Sequence, residues 1–332
     1  MASLKNVLII GASGALGIPT LEEFLNPQYR VSVLSRREST ATFPDGVKVF
    51  KADYNDPDAI KAAMEGQDVV ISIVGGHAAE DQRLLIDAAL ASGVKRFFPS
   101  EYGPYTRDPK MAKINPYTNP YKSAIVDYLQ SKETEMSWTS LVTGGFFDWA
   151  MDNGFFGFDF GTKTAGLIDD GITTFCFYYF SNNCQLSERR LNMQMRRKIN
   201  TSSVRNKDIP VIPFRDYPHR RYVGHVMVRL RTSPRRHHDI FIASFHHTQR
   251  DILNEIEKLD DQKWAIQHLS SDNVIANGEK RVKEGDFAGI MDLTRGAAMG
   301  KPGLVDLRSH GLWNEKLGLP KEHMADVLTR YI

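Results

Sequence analysis

The feature that most narrows the fold of this chain is a glycine triplet, Gly11-x-x-Gly14-x-x-Gly17, placed directly after a largely apolar run over 4–10. A near-continuous apolar run is what a parallel strand buried on both faces requires. Glycines at this spacing, where strand gives way to helix, permit a tight turn, a close backbone approach to a ligand, and helix–strand packing. The first N–H groups of the helix have no partners within it and carry positive potential, so the corner accepts a phosphate. The segment predicts a dinucleotide-binding βαβ unit, with Gly11, Ser13, Gly14, Ala15, Leu16 and Gly17 around the phosphates.

Strand and helix signals then alternate as far as about residue 145. Strands are expected over 30–35, 47–52, 68–74 and 94–99. Asp56-Pro57 opens one helix, with Asp as N-cap and Pro at the first helical position. A second helix covers 79–92 and ends at Gly93. A proline-bearing loop over 101–119 leads to a helix over 120–132. There Tyr121, Ala124, Ile125, Tyr128 and Leu129 repeat at i, i+3, i+4, i+7 and i+8. A strand over 138–142 follows, and then a Gly- and Phe-rich stretch, 144–161, that reads as a loop. Regular signals return later: a strand over 239–245, a helix over 248–259, a strand over 264–269, two helices within 273–299, and a helical tail over 314–330. This order implies an α/β fold, an NAD(P)-binding Rossmann domain with a doubly wound parallel sheet over 1–150. Residues 151–332 form a smaller C-terminal substrate domain.

Several residues fall at the ends of the expected strands, where ligands collect in such sheets. The second strand ends in Arg36, where NAD-preferring sites place a carboxylate. A guanidinium there suits the extra 2′-phosphate of NADP(H), with Ser35 as a second donor. Asp53 and Gly75 end the third and fourth strands, and each reads either as a coenzyme contact or as turn chemistry. Ser100, Glu101 and Tyr102 follow the fifth strand and border the expected nicotinamide pocket. Phe146, Phe147, Trp149, Phe155 and Phe156 offer an apolar wall for a flat ring system, and the alternative is ordinary core. Lys122 begins the helix over 120–132; from spacing alone it reads as a solvated helix lysine.

The strings GASGALG, VLSRREST, DVVISIVG, LIDAALASGVKRFFPSEYG and NPYKSAIVDYL resemble the NmrA-like, isoflavone reductase-like branch of the atypical short-chain dehydrogenases. The likeness spans about 4–172 and resumes over 239–332. It implies an NADPH-dependent reductase of a small aromatic, phenolic or polyketide-like substrate, with Gly11, Gly14, Gly17 and Arg36 on the coenzyme. The family's helix lysine corresponds to Lys122, which the resemblance makes the catalytic residue. Tyr102, Phe146, Phe147 and Trp149 are then the expected substrate pocket. The Tyr-x-x-x-Lys pair of the wider superfamily is missing, because Thr118 stands four residues before Lys122 while Tyr117 and Tyr121 are out of register. The alternative within the family is a regulator that senses NADP(H) without turning it over.

Residues 175–238 depart from the family's pattern. Between Leu186 and Arg236, 14 Lys and Arg face 3 Asp and Glu, so one segment supplies the chain's basic character. A retained intron with a frame slip, or a divergent and disordered insertion, would each produce such a stretch. Its arginines come without a nucleic-acid-binding motif or regular aromatic interleaving, so nucleic acid is not an expected partner. The adjacent histidines His237-His238 and His246-His247 point to opposite faces of a strand and do not chelate as units, so no metal site is expected. Two cysteines, no apolar run of membrane-spanning length, and a start that runs straight into a strand together suggest a cytoplasmic protein, monomer or homodimer.

Overall fold

The computed structural model describes residues 4–75, 82–179, 223–231 and 237–332. Strand β1 (Asn6–Ile10) leads into helix α1 (Gly17–Phe24) and then β2 (Arg30–Arg36), β3 (Lys48–Ala52) and α2 (Pro57–Met64). Next come β4 (Val69–Ser72), α3 (Gln82–Ala91), β5 (Arg96–Phe98), α4 (Pro109–Ile114), α5 (Asn119–Ser131) and β6 (Ser137–Val142). Short elements follow: β7 (Gly145–Phe146), α6 (Phe147–Asp152), β8 (Phe158–Asp159), β9 (Thr164–Ile168) and β10 (Phe175–Tyr178). The later part holds α7 (Val223–Leu230), β11 (His237–Phe241), β12 (Phe245–His247), α8 (Gln249–Asp260) and β13 (Ala265–Leu269). Helices α9 (Ser271–Lys283), α10 (Gly289–Met299) and α11 (Met324–Leu328) complete it. Among the described residues, no helix is long and apolar enough to cross a membrane.

Seven strands form one parallel sheet in the order β11-β6-β5-β4-β1-β2-β3. The order reverses at β1, which pairs with β2 on one side and β4 on the other, the arrangement that opens a crevice at the strands' carboxyl ends. The side chains of β1 show why its sequence is apolar throughout. Val7 and Ile9 enter one core with residues of α1 and α7, whereas Leu8 and Ile10 enter another with residues of α2, α3 and α5. Both faces are buried, and the pleat sends successive residues to opposite sides. Helix α2 starts as its sequence dictates: Asp56 accepts a hydrogen bond from the Ala59 N–H at 3.1 Å, and Pro57 is the first helical residue.

The division proposed near residue 150 is crossed twice by the chain. Strand β11 returns to add the seventh strand beside β6. Helix α7 packs on α1 so closely that a Cβ at Gly224 would sit 2.8 Å from Thr20 Cα. The buried guanidinium of Arg96 on β5 donates to the Leu230 carbonyl at the end of α7, joining that helix to the sheet. The expectation for 175–238 thus meets the structure in three places, 175–179, 223–231 and 237–238, and each is an element of the packed fold. Residues 180–222 and 232–236 lie outside the described residues.

The second lobe carries two three-stranded sheets, β12-β10-β7 and β13-β9-β8, around an aromatic core. The stretch 144–161, expected as a loop, forms β7, α6 and β8 instead. Its phenylalanines drive this: Phe147, Phe155, Phe156 and Phe158 are all buried, and the Phe156 ring lies 4.8 Å from Phe177 and 5.6 Å from Phe175. Fully buried Gln249 ties the lobe together. Its side-chain amide donates to Phe156 O at 2.8 Å and Gly166 O at 3.1 Å, and its carbonyl oxygen accepts from Ile168 N at 2.8 Å. Replacing Phe156 by Ala removes the ring at the centre of this cluster. The expected cost is about 3–5 kcal/mol, read as a lowered urea midpoint; a loss below about 1 kcal/mol would show that the cluster is not the lobe's core.

Candidate active site

The segment joining β1 to α1 is held by backbone contact. Gly11 takes φ +85°, and a Cβ there would fall 2.2 Å from the Ile73 carbonyl oxygen just after β4. A Cβ at Gly17 would fall 2.1 Å from Gly11 O, so the helix start is pressed against the turn. Only glycine fits either position. Leu16 is buried and anchors the loop in the core, while Ser13, Gly14 and Ala15 are exposed.

Gly14 differs from its two partners. A Cβ there would meet only Gly11 O, at 3.4 Å, and one at Gly75 would meet nothing within 4 Å. Among the described residues, packing requires neither glycine, and the backbone beside each is open. Helix α1 begins without a side-chain cap and without an acidic residue in its first turn. The corner therefore retains its positive potential, and its chemistry fits the phosphates of a dinucleotide.

Arg36 closes β2 as an exposed side chain, and among the described residues it has no ion pair. Its neighbour Arg37 is turned to Asp56 at 3.8 Å. Burial pushes the Tyr54 hydroxyl up to about 12, and the nearby Arg36 guanidinium pulls against that shift. Ser35, expected as a second donor, is buried in the sheet and does not reach outward with Arg36. Asp53 is used by its own turn, one carboxylate oxygen accepting from Asn55 N at 2.9 Å and from the Asn55 side chain at 3.2 Å. That is the turn chemistry the sequence offered as the alternative.

At the carboxyl end of β5, the Ser100 hydroxyl donates to Val74 O at 2.6 Å, joining the ends of β4 and β5, and its N–H donates to Gln82 Oε1 at 2.9 Å. Next to it stands the group that concentrates charge. The Lys122 ammonium donates to the Glu101 main-chain carbonyl at 2.6 Å. The Glu101 carboxylate is itself buried, 3% exposed, and accepts from the Thr106 hydroxyl at 2.6 Å. Desolvation lowers the lysine below its ordinary value, and the Glu101 charge opposes that. Burial likewise raises the Glu101 carboxyl, against the pull of Lys122 and Thr106. Lys122 is thus no solvated surface lysine, which is the structural distinction that spacing alone did not make. A half-buried ammonium beside a strand-end crevice can donate a proton or hold a hydroxyl.

Tyr102 occupies the left-handed region at φ +30°, and its buried hydroxyl has no hydrogen-bond partner among the described residues. Burial raises that hydroxyl well above its usual range. The aromatic residues divide. Phe147 is not a ligand wall but core, with ring centroids 5.2 Å from Phe156 and 5.0 Å from Phe245. Phe155 and Phe156 are core as well. Phe146 is half-buried against the first lobe's core, and Trp149 on α6 is 44% exposed, 6.2 Å from Phe155. Two contributors escaped the sequence reading, Thr106 and the Arg107–Asp239 ion pair at 3.2 Å, which ties the loop after β5 to β11. Neither carries a local sequence signal, because each partner is set by topology.

The model of the NmrA-like family matches residues 3–175, more than half of the chain. The chain belongs to the NmrA-like family. Over 339 aligned residues, covering 97% of each chain, it is 29% identical to oxidoreductase aprR of Aspergillus flavus. It is 36% identical over 115 residues to an isoflavone reductase homolog of Zea mays, covering 31% of this chain and 37% of that one. Among solved structures, an isoflavone reductase superposes with TM-score 0.70 at 17% identity, covering 99% of this chain and 100% of the other. AtPrR2 with NADP+ and (+)pinoresinol also gives 0.70 at 17% identity, covering 100% of both. These likenesses establish the Rossmann-like reductase fold.

A Gly17→Ala substitution forces a methyl group into the turn. The expected cost is at least about 1–3 kcal/mol, whereas Gly75→Ala, facing open space, changes stability by less than about 0.5 kcal/mol. Chemical denaturation of both variants checks this, and equal losses would show that the turn is not held by the Gly11–Gly17 contact.

Proposed function

We propose that this chain is an NADPH-dependent oxidoreductase that reduces a small aromatic, phenolic or polyketide-like substrate. The observation that carries the reading is the Lys122 ammonium, half-buried and fixed 2.6 Å from the Glu101 carbonyl, at the same carboxyl-end rim of the sheet as the uncapped phosphate corner. The relatives support it in kind: one is an oxidoreductase of Aspergillus flavus, and one structural neighbour is described with NADP+ and (+)pinoresinol.

Gly11, Ser13, Gly14, Ala15, Leu16 and Gly17 would hold the pyrophosphate with backbone amides, and Arg36 the 2′-phosphate. Gly75 leaves room for a ribose to lie close to the end of β4. The bound coenzyme supplies a hydride. Lys122 orients the substrate's oxygen and supplies the matching proton, directly or through a water. Tyr102, Phe146 and the exposed Trp149 are the aromatic groups left to line the substrate side; Phe147 supports them from within the core.

Lys122→Ala should reduce kcat by about 10²–10⁴-fold while coenzyme affinity changes little. Turnover equal to wild type would remove the lysine from the chemistry. Coenzyme binding without turnover by the wild-type protein, across phenolic enones, ethers and quinone methides, would point instead to a coenzyme-sensing regulator. Arg36→Ala should lower the NADPH-to-NADH ratio of kcat/KM by about 10–100-fold, the worth of a charge-assisted contact. An unchanged ratio would exclude Arg36 from the 2′-phosphate.

A further inference from the structure

We propose that Glu101 is a positioning residue for Lys122, fixing the amine with its main-chain carbonyl and holding it as an ammonium with its buried carboxylate. The inference rests on the reading that Lys122 faces the reacting centre, and it assigns the group that sets the lysine's charge.

The geometry is specific. A strand-end glutamate would ordinarily turn its carboxylate to water, yet Glu101 is 3% exposed. The Thr106 hydroxyl donates to it at 2.6 Å, which favours the ionised form. Its own carbonyl meanwhile accepts from the Lys122 ammonium at 2.6 Å. The lysine is thus bonded to the backbone of Glu101 and lies within the field of the same residue's carboxylate. The next residue, Tyr102, is in the left-handed region at φ +30°, a conformation that a bulky side chain rarely adopts. Strain of this kind persists only where surrounding structure imposes it, and here Gly103 is pinned by accepting from Thr143 N and Gly144 N, both at 3.1 Å.

The charges facing the pair come from three elements. Lys122 projects from α5, and Arg107 lies on the loop after β5, paired with Asp239 of β11 at 3.2 Å. Lys122 and Arg107 favour the Glu101 carboxylate and Asp239 opposes it, with Thr106 as the neutral donor. On the lysine the two opposing influences are desolvation, which favours the neutral amine, and Glu101, which favours the ammonium. Removing the carboxylate takes away its charge and leaves desolvation opposed by the main-chain carbonyl alone. The neutral amine then becomes more abundant at a given pH, and the reservoir of protons for the substrate oxygen shrinks as pH rises.

The test follows the lysine directly. In the full chain carrying lysine labelled with ¹³C at Cε, the Lys122 signal is assigned by its loss in Lys122→Arg and titrated. In Glu101→Gln its midpoint should fall by about one pH unit, leaving about tenfold more neutral amine at a pH well below the midpoint. Glu101→Asp, which keeps the charge, should bring it back toward wild type. An unchanged midpoint in Glu101→Gln, or an equal fall in Glu101→Asp, would overturn the proposal. If Glu101→Gln fails to fold, Thr106→Val provides the second arm. Loss of its hydrogen bond should shift the midpoint in the same direction by less, and no shift would again be contrary. The alkaline limb of kcat should move with the titration. Full turnover by Lys122→Ala would defeat the catalytic reading while leaving the titration result intact, so the two failures are separable.

Discussion

The fold of the first lobe turns on one close contact, the backbone of Gly11 against the carbonyl of Ile73, with Gly17 pressed onto Gly11 from the other side. This packing brings the ends of β1 and β4 and the start of α1 to a single corner. No side chain fits at Gly11 or Gly17, so at these two positions the corner is held by peptide groups in contact. Peptide N–H groups at a helix start are what an anion needs, and the bare backbone at exposed Gly14 is what lets it approach. Structural requirement and binding capacity arise here from the same turn.

From that corner the parallel sheet carries the site outward. The strand ends deliver residues to one rim: Arg36 closes β2, Gly75 follows β4, and Ser100 to Tyr102 follow β5. The rim is not uniform in environment. Arg36 at its outer side is exposed, whereas Glu101 and Lys122 are drawn into the molecule, where a charge interacts more strongly with its neighbours. A site of this kind separates two tasks, recognition of a charged phosphate near solvent and control of a proton where water is scarce.

How much of this the sequence reveals depends on the range of the interaction. The phosphate corner, the strand-two arginine and the helix bearing Lys122 are local features, written in glycine spacing, a strand boundary and a 3.6-residue period. The stretch 144–161 misleads for a physical reason. Its Gly-Phe pattern has no helical or strand period, yet Gly154 and Gly157, both at positive φ, fold the chain so that its phenylalanines meet Phe175, Phe177 and Phe245. Those partners lie far along the chain, so core and ligand wall look alike in sequence. The environment of Lys122 is likewise non-local, since Glu101 and Thr106 reach it only through the loop after β5. The seventh strand is hidden for the same reason, because β11 pairs with β6 across most of the second lobe.

The central claim is that this corner binds a phosphorylated dinucleotide and distinguishes it by its 2′-phosphate. Calorimetric titration of the folded wild-type chain with NADPH and with NADH tests it most directly. The account predicts one-to-one binding, tighter for NADPH by at least about tenfold, corresponding to about 1.4 kcal/mol. No heat with either coenzyme, on protein shown to be folded, would contradict it.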